Sequence, residues 1–229
     1  MSKTKRPNTP ARAVGRPIIG LDDLARRAGT TIRRPVLIVC EGEQTEQRYL
    51  NALRIHYRLS TVDVKIHGEG AGPLEIIQCA LDLVTERLRD ARRNRNVPAY
   101  EEVWCVFDRE AFNEPPSFQE ALRLAARHQI RLAISNPSFE YWYLLHYVDS
   151  NRPFRDGQEM KAELRRYIPG YTEAMEVFPR LRAQTALAHG RAEQLHTRHP
   201  DRERDEYPNP CTLVYQLVGG IIAMTSYRR

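Results

Sequence analysis

Four short strand-like runs, three largely apolar and one alternating, each followed by a stretch with helical spacing, constrain this chain more than any other feature. They are "VLIVC" (36–40), "TVDVKIH" (61–67), "EVWCVF" (102–107) and "IRLAIS" (130–135). Their β-branched content and polar, Gly- or Pro-bearing flanks mark them as strands, and the first, apolar throughout, reads as buried on both faces. Between them, "EQTEQRYLNALRIHYRL" puts Tyr49, Leu50, Leu53 and Tyr57 at helical spacing, and Pro73 opens a helix to about Asp90. Ser117–His128 reads as a helix with Ser117 as N-cap and Glu120 at the capping-box position. "NPSFEYWYLLHYV" (136–148) reads as a fourth helix, with a proline near its first turn and an aromatic face. The β-α-β-α-β-α-β-α order predicts an α/β fold over residues 35–150, a mostly parallel sheet with helices on both faces.

Beyond Asp149 the alternation stops. Helical segments near 156–168, 172–198 and 210–227, broken at Pro169–Gly170 and "YPNP" (207–210), predict a helical C-terminal extension over 151–229. The net charge of +6 is concentrated at the other end, since residues 1–34 hold nine Lys/Arg against two Asp. This segment is expected to be a basic flexible arm, either a phosphate-seeking tail or a solvated terminus. Cys40, Cys79, Cys105 and Cys211 are widely spaced with no CxxC pair, which favours free thiols over disulfides or a zinc site. No run approaches the roughly 18 apolar residues of a membrane span. "MSKTKRPNTPARAVGRP" leads into no apolar signal region, so a cytoplasmic protein without a membrane partner is expected.

The acids at the strand ends carry the functional signal. In an open parallel sheet, ligands bind beyond the carboxyl ends of the strands, where loop backbones and helix N-termini converge. Glu41 follows the first strand, and Asp108 and Glu110 follow the third, spaced so that both side chains can point to one side. Three acids at one rim repel each other unless a cation lies between them. Mg²⁺ or Mn²⁺, which take carboxylate, water and phosphate oxygens, would remove that conflict and suit chemistry on a phosphoester. The plainer alternative is that such acids cap helices or sit on a solvated rim. Gly42 adds weight to the metal reading, because glycine permits a positive φ and a close backbone approach beside the acid.

"VLIVCEGEQTEQRYL", "VWCVFDRE" and "ISNPSFEYWYLLHY" together resemble the RloB-like family, a branch of the Toprim-fold proteins of prokaryotic anti-phage and restriction-linked loci. The resemblance covers roughly residues 34–150. It implies a Toprim-like fold and a metal-dependent site in which Glu41, Asp108 and Glu110 are the catalytic ligands. Glu110 stands where the usual pattern has a second aspartate, and its extra methylene shifts the oxygens by roughly one bond length.

Other residues gather around this set. Arg109 either binds phosphate or bridges at the rim, the bridge being slightly favoured. Asn136, Ser138 and Glu140 end the fourth strand; capping explains Asn136 and Ser138, while the resemblance places a characteristic Phe-Glu here, which makes Glu140 either a fourth metal ligand or a residue supporting the ligands from behind. Glu46, in the "EGxxTE" part of the motif, is a candidate helper, whereas Glu43 reads as helix-start chemistry. His146 reads as a packed core histidine. "HGEGAGP" (67–73) lacks the ending of a P-loop and reads as a turn. "HGRAEQLHTRH", with His189, His196 and His199, reads as an exposed basic face. The implied function is an Mg²⁺- or Mn²⁺-dependent nuclease cutting DNA or a structured RNA such as tRNA. It would act as an effector in phage defence, with abortive infection as an outcome, beside a separate AAA or ABC-type ATPase; self-association is open to such a chain. The rival is a non-catalytic nucleic-acid-binding or regulatory partner of that ATPase, which Glu110 in place of aspartate favours.

Overall fold

The computed structural model describes residues 35–42, 44–66, 72–109, 116–201, 203 and 205–226. The basic arm, Glu43, most of the "HGEGAGP" turn and Glu110 lie outside these residues. Strand β1 (Val36–Cys40) is buried at every position because it pairs in parallel on both sides, with β2 (Val62–Ile66) and β3 (Glu102–Asp108). Each fully buried Val, Leu or Ile there stabilises the fold by about 1.5–3 kcal/mol, and a charge within the strand would forfeit that. The first position free to carry a carboxylate is therefore the one after it.

β3 also pairs in parallel with β4 (Arg131–Asn136), which pairs antiparallel with the two-residue β5 (Cys211–Thr212). The resulting order is β2-β1-β3-β4-β5. The chain leaves β1 for β2 in one direction, then passes back over it to β3. Right-handed crossovers then put α1 (Thr45–His56) on one face and α2 (Pro73–Arg93) with α3 (Pro116–Arg127) on the other. α2 packs on β1, β3 and α3, burying Ile76, Ile77 and Ala80 and leaving its opposite side exposed. α1 buries Tyr49, Leu50 and Leu53 against the sheet, with Tyr57 half-buried at its C-cap. The α/β architecture with helices on both faces is thus as the alternation predicts.

Several local expectations are corrected. Ser117 is already inside α3, behind Pro116, so it is not the N-cap. The helix expected over 136–148 reduces to α4 (Glu140–Leu144), followed by single turns to Tyr147. Pro137 precedes it across a cis Asn136–Pro137 bond instead of sitting in its first turn. All five residues of α4 are buried, and Tyr49 of α1 meets Trp142 and Tyr143 from it, together with Phe139 and Phe178, edge-on or tilted.

The C-terminal stretch contains α5 (Gly157–Leu164), α6 (Phe178–Leu181), a 3₁₀ turn (Arg182–Gln184), α7 (Thr185–Arg198) and α8 (Val214–Ser226). Asp156 caps α5 by accepting from the Glu159 N–H at 2.8 Å. The segment expected to be helical from 172 begins its helix only at Phe178. The segment expected to be helical from 210 opens with a strand, in which the Thr212 and Ser135 hydroxyls meet at 2.9 Å. Met160, Leu164, Leu181, Ala188, Val214 and Leu217 join the same buried cluster as the sheet. The expected exposed histidine face is also corrected: His196 is buried, and His189 and His196 both pack on Tyr215 of α8. The four cysteines are free, three of them buried and Cys79 half-buried.

Candidate functional site

Glu41 stands one residue past β1, and its N–H extends the ladder by donating to Val106 O at 3.1 Å. Asp108 ends β3, one strand over, and its N–H donates to Glu41 Oε2 at 3.3 Å. The two acids are thereby fixed side by side at the point where strand order reverses, between β1 and β3. A crevice opens there because the neighbouring connections leave toward opposite faces. Glu46 enters from the first turn of α1 and Glu140 from the first residue of α4, both helix starts that favour a negative charge. Together with Gly42, Lys161 and Glu173 they line a cavity of about 200 Å³.

The electrostatics of this cavity are strained by like charge. Burial, then the charges of Glu140, Glu41 and Glu173, push the Glu46 carboxyl up to about 7, against a counter-effect from its own backbone N–H. Burial, followed by Glu46, Glu140 and Glu41, holds Asp108 well above the usual carboxylate range. Asp108 Oδ1 is shut off from solvent with no hydrogen-bond partner among the described residues. Glu140, only 2 % exposed, is served by two hydroxyls: Ser138 Oγ donates to Oε2 at 2.6 Å and Tyr171 Oη to Oε1 at 3.0 Å.

The fate of the sequence candidates is uneven. Glu41, Gly42, Glu46, Asp108 and Glu140 share the cavity, and Ser138 orients Glu140 from beside it. Glu110 lies outside the described residues. Arg109 makes the bridge, donating to Asp205 Oδ1 at 2.5 Å and Tyr207 O at 2.7 Å. Asn136 Nδ2 donates to the same carbonyl at 2.8 Å, so both side chains brace the 205–207 segment and neither lines the cavity. Gly42 is not in the left-handed region; among the described glycines only Gly170 is, at φ 73°. What position 42 requires is space, because a Cβ there would overlap the Glu46 carboxylate. His146 is a packed histidine with Nδ1 2.9 Å from Trp142 O, and burial pushes it down to about 4.

Sequence reasoning misses Lys161, Tyr171 and Glu173. They come from α5 and the turn after it, in a stretch whose charges look like an ordinary solvated helix face. Lys161 hydrogen-bonds Glu173, and its Nζ lies 4.0 Å from Glu140 Oε1. Burial opposes its charge, but that bond and the Glu140, Glu173 and Asp108 charges raise its pKa overall. Among the described residues, no group of three or more His, Cys, Asp or Glu is gathered closely enough to hold a metal ion.

Fold and site define an α/β protein with a carboxylate-lined cavity at the strand-order reversal of a mostly parallel sheet. The chain belongs to the RloB-like protein family, which it matches over residues 36–221, well into the C-terminal helices. It matches no curated protein and no solved structure. Among the described residues no helix is long and apolar enough to cross a membrane.

Proposed function

We propose that the cavity is a divalent-cation site at which a nucleic-acid phosphodiester is hydrolysed, in DNA or a structured RNA such as tRNA. Glu41, Asp108 and Glu110 would hold the ion, with Glu140 as a fourth ligand. Asp108 carries the reading. Its Oδ1 is buried without a donor among the described residues, in a cavity lined by four other carboxylates, and an unsatisfied buried oxygen of this kind costs about 1–3 kcal/mol or more. A structural rim acid would be solvated or paired; an acid kept bare beside like charges suits a ligand that compensates it. The donors are all oxygens, which fits Mg²⁺ or Mn²⁺. Such an ion, when bound, supplies charge neutralisation at the phosphoryl oxygens and a more acidic attacking water.

The protein's own contribution is to hold the donors. β1 and β3 set the Glu41–Asp108 spacing through the ladder and the Asp108 N–H bond, and Ser138 and Tyr171 fix both oxygens of Glu140. The Toprim likeness of the three motifs supports the same assignment. It extends the proposal to a phage-defence effector working in the cytoplasm beside an AAA or ABC-type ATPase. A second reading, a non-catalytic nucleic-acid-binding or regulatory module, is favoured by the absence of a closed three-ligand group among the described residues.

One experiment separates the two. Purified protein is incubated with end-labelled DNA and tRNA in Mg²⁺, in Mn²⁺ and in EDTA, with and without the neighbouring ATPase. Metal-dependent cleavage that disappears in Glu41→Ala and Asp108→Asn supports hydrolysis. Intact nucleic acid under every condition rejects it in favour of the module.

A further inference from the structure

Five acids line the cavity, Glu41, Glu46, Asp108, Glu140 and Glu173, while Lys161 is the single cation among its described lining residues. Lys161 is contributed by α5, from the C-terminal half of the chain, whereas Glu41 and Asp108 project from the strand ends. Its side chain keeps 17 % exposure, so the ammonium reaches solvent while its Nζ lies 4.0 Å from the buried Glu140 carboxylate. Glu173, itself half exposed, holds it there through a direct ion pair. Lysine is a compact, flexible point charge with three donors, a chemistry that suits a phosphate oxygen and needs no fixed fork.

We propose that Lys161 is the phosphate-contacting residue of this site, and that Glu173 is its parking partner, exchanged for a substrate phosphate when nucleic acid enters. This rests on the nucleic-acid reading above. It goes beyond it by naming a residue from outside the strand-end motifs that receives the anion. Entry of a phosphate toward so many carboxylates is repulsive, and beside a bound ion Lys161 is the cationic side chain among the described lining residues that helps to offset it. The exchange has a definite sign: removing Glu173 frees the lysine and strengthens binding, while removing the lysine weakens it.

The test uses the full chain and three variants, Lys161→Met, Lys161→Arg and Glu173→Gln, each checked for wild-type melting. A fluorescein-labelled single-stranded oligonucleotide is titrated at 50–200 mM salt, roughly the range over which counterion release is read. Free Mn²⁺ is followed separately by electron paramagnetic resonance. Lys161→Met should weaken oligonucleotide binding and lower the log–log salt slope by about 0.7–0.9, one phosphate contact. Lys161→Arg should restore most of it, and Glu173→Gln should tighten binding severalfold, with Mn²⁺ still bound in all three. An unchanged slope in Lys161→Met, weaker binding in Glu173→Gln, or loss of Mn²⁺ from Lys161→Met overturns the assignment while leaving the metal site standing. A wild-type chain that binds neither Mn²⁺ nor oligonucleotide removes the nucleic-acid reading itself, and this inference with it.

Discussion

Glu46 shows how the environment of one residue sets a property of the whole chain. Its carboxyl is 6 % exposed and is pushed up to about 7, first by burial and then by Glu140 and Glu41. An acid whose folded pKa lies above its unfolded value binds protons more tightly in the folded state. Its share of stability is complete below about pH 4.5 and is lost as pH rises through about 7. The gap corresponds to on the order of 3 kcal/mol. Metal-free protein should therefore melt at progressively lower temperature between pH 5 and 8, and Glu46→Gln should flatten that slope and raise the melting temperature at pH 8. Calorimetry in EDTA across that range is the check; a variant that keeps the wild-type slope would place the titration elsewhere. Gly42 belongs to the same local arrangement, since its missing Cβ is the space the Glu46 carboxylate occupies.

At the scale of elements, the site is a meeting of two strand ends, two helix starts and a later turn. β1 and β3 bring their acids by register alone, because parallel pairing of Cys40 with Val106 sets Glu41 beside the end of β3. α4 needs more help. It is only five residues long, and Glu140 at its start is held by Ser138 before it and by Tyr171 from the turn beyond α5. Burial and the Glu140 charge push the Tyr171 phenol up, so it remains a donor at any working pH. Tyr171→Phe keeps the ring against Tyr143 and removes one hydrogen bond to a carboxyl group. The expected loss is about 1.5–3 kcal/mol by urea unfolding, together with weaker Mn²⁺ binding. A stability loss without any change in Mn²⁺ affinity would detach Glu140 from the ion.

The whole molecule explains which parts of this arrangement the sequence discloses. The α/β core and the Glu41–Asp108 rim are legible because strand burial, period and strand-end acids are all local signals, and a parallel sheet turns them into a place. Arg109 makes the rim bridge its motif suggests, but its partner Asp205 lies far along the chain, and Asn136 misleads because it sits in the right motif yet spends its amide on Tyr207 O. Lys161, Tyr171 and Glu173 are invisible because nothing local marks them; only the packing of α5 against α4 carries them to the cavity. The same long-range contacts govern folding. Without the stretch after Ser150, β4 loses its β5 neighbour, Arg109 loses Asp205 and Tyr207, and Tyr49 loses Phe178 from its aromatic ring cluster. Those losses would leave an open strand edge and buried donors without acceptors, each a recognised route to aggregation or a fluctuating core. A fragment ending at Ser150 should therefore be insoluble or lack near-ultraviolet circular dichroism, although it carries every strand-end acid. A chain beginning at Arg33 and running to Arg229, the compact unit that retains those contacts, should melt in one cooperative transition. A folded, cooperatively melting fragment ending at Ser150 would mean that the C-terminal half is an accessory, and that the cavity's lysine and tyrosine are decorations on a site complete without them.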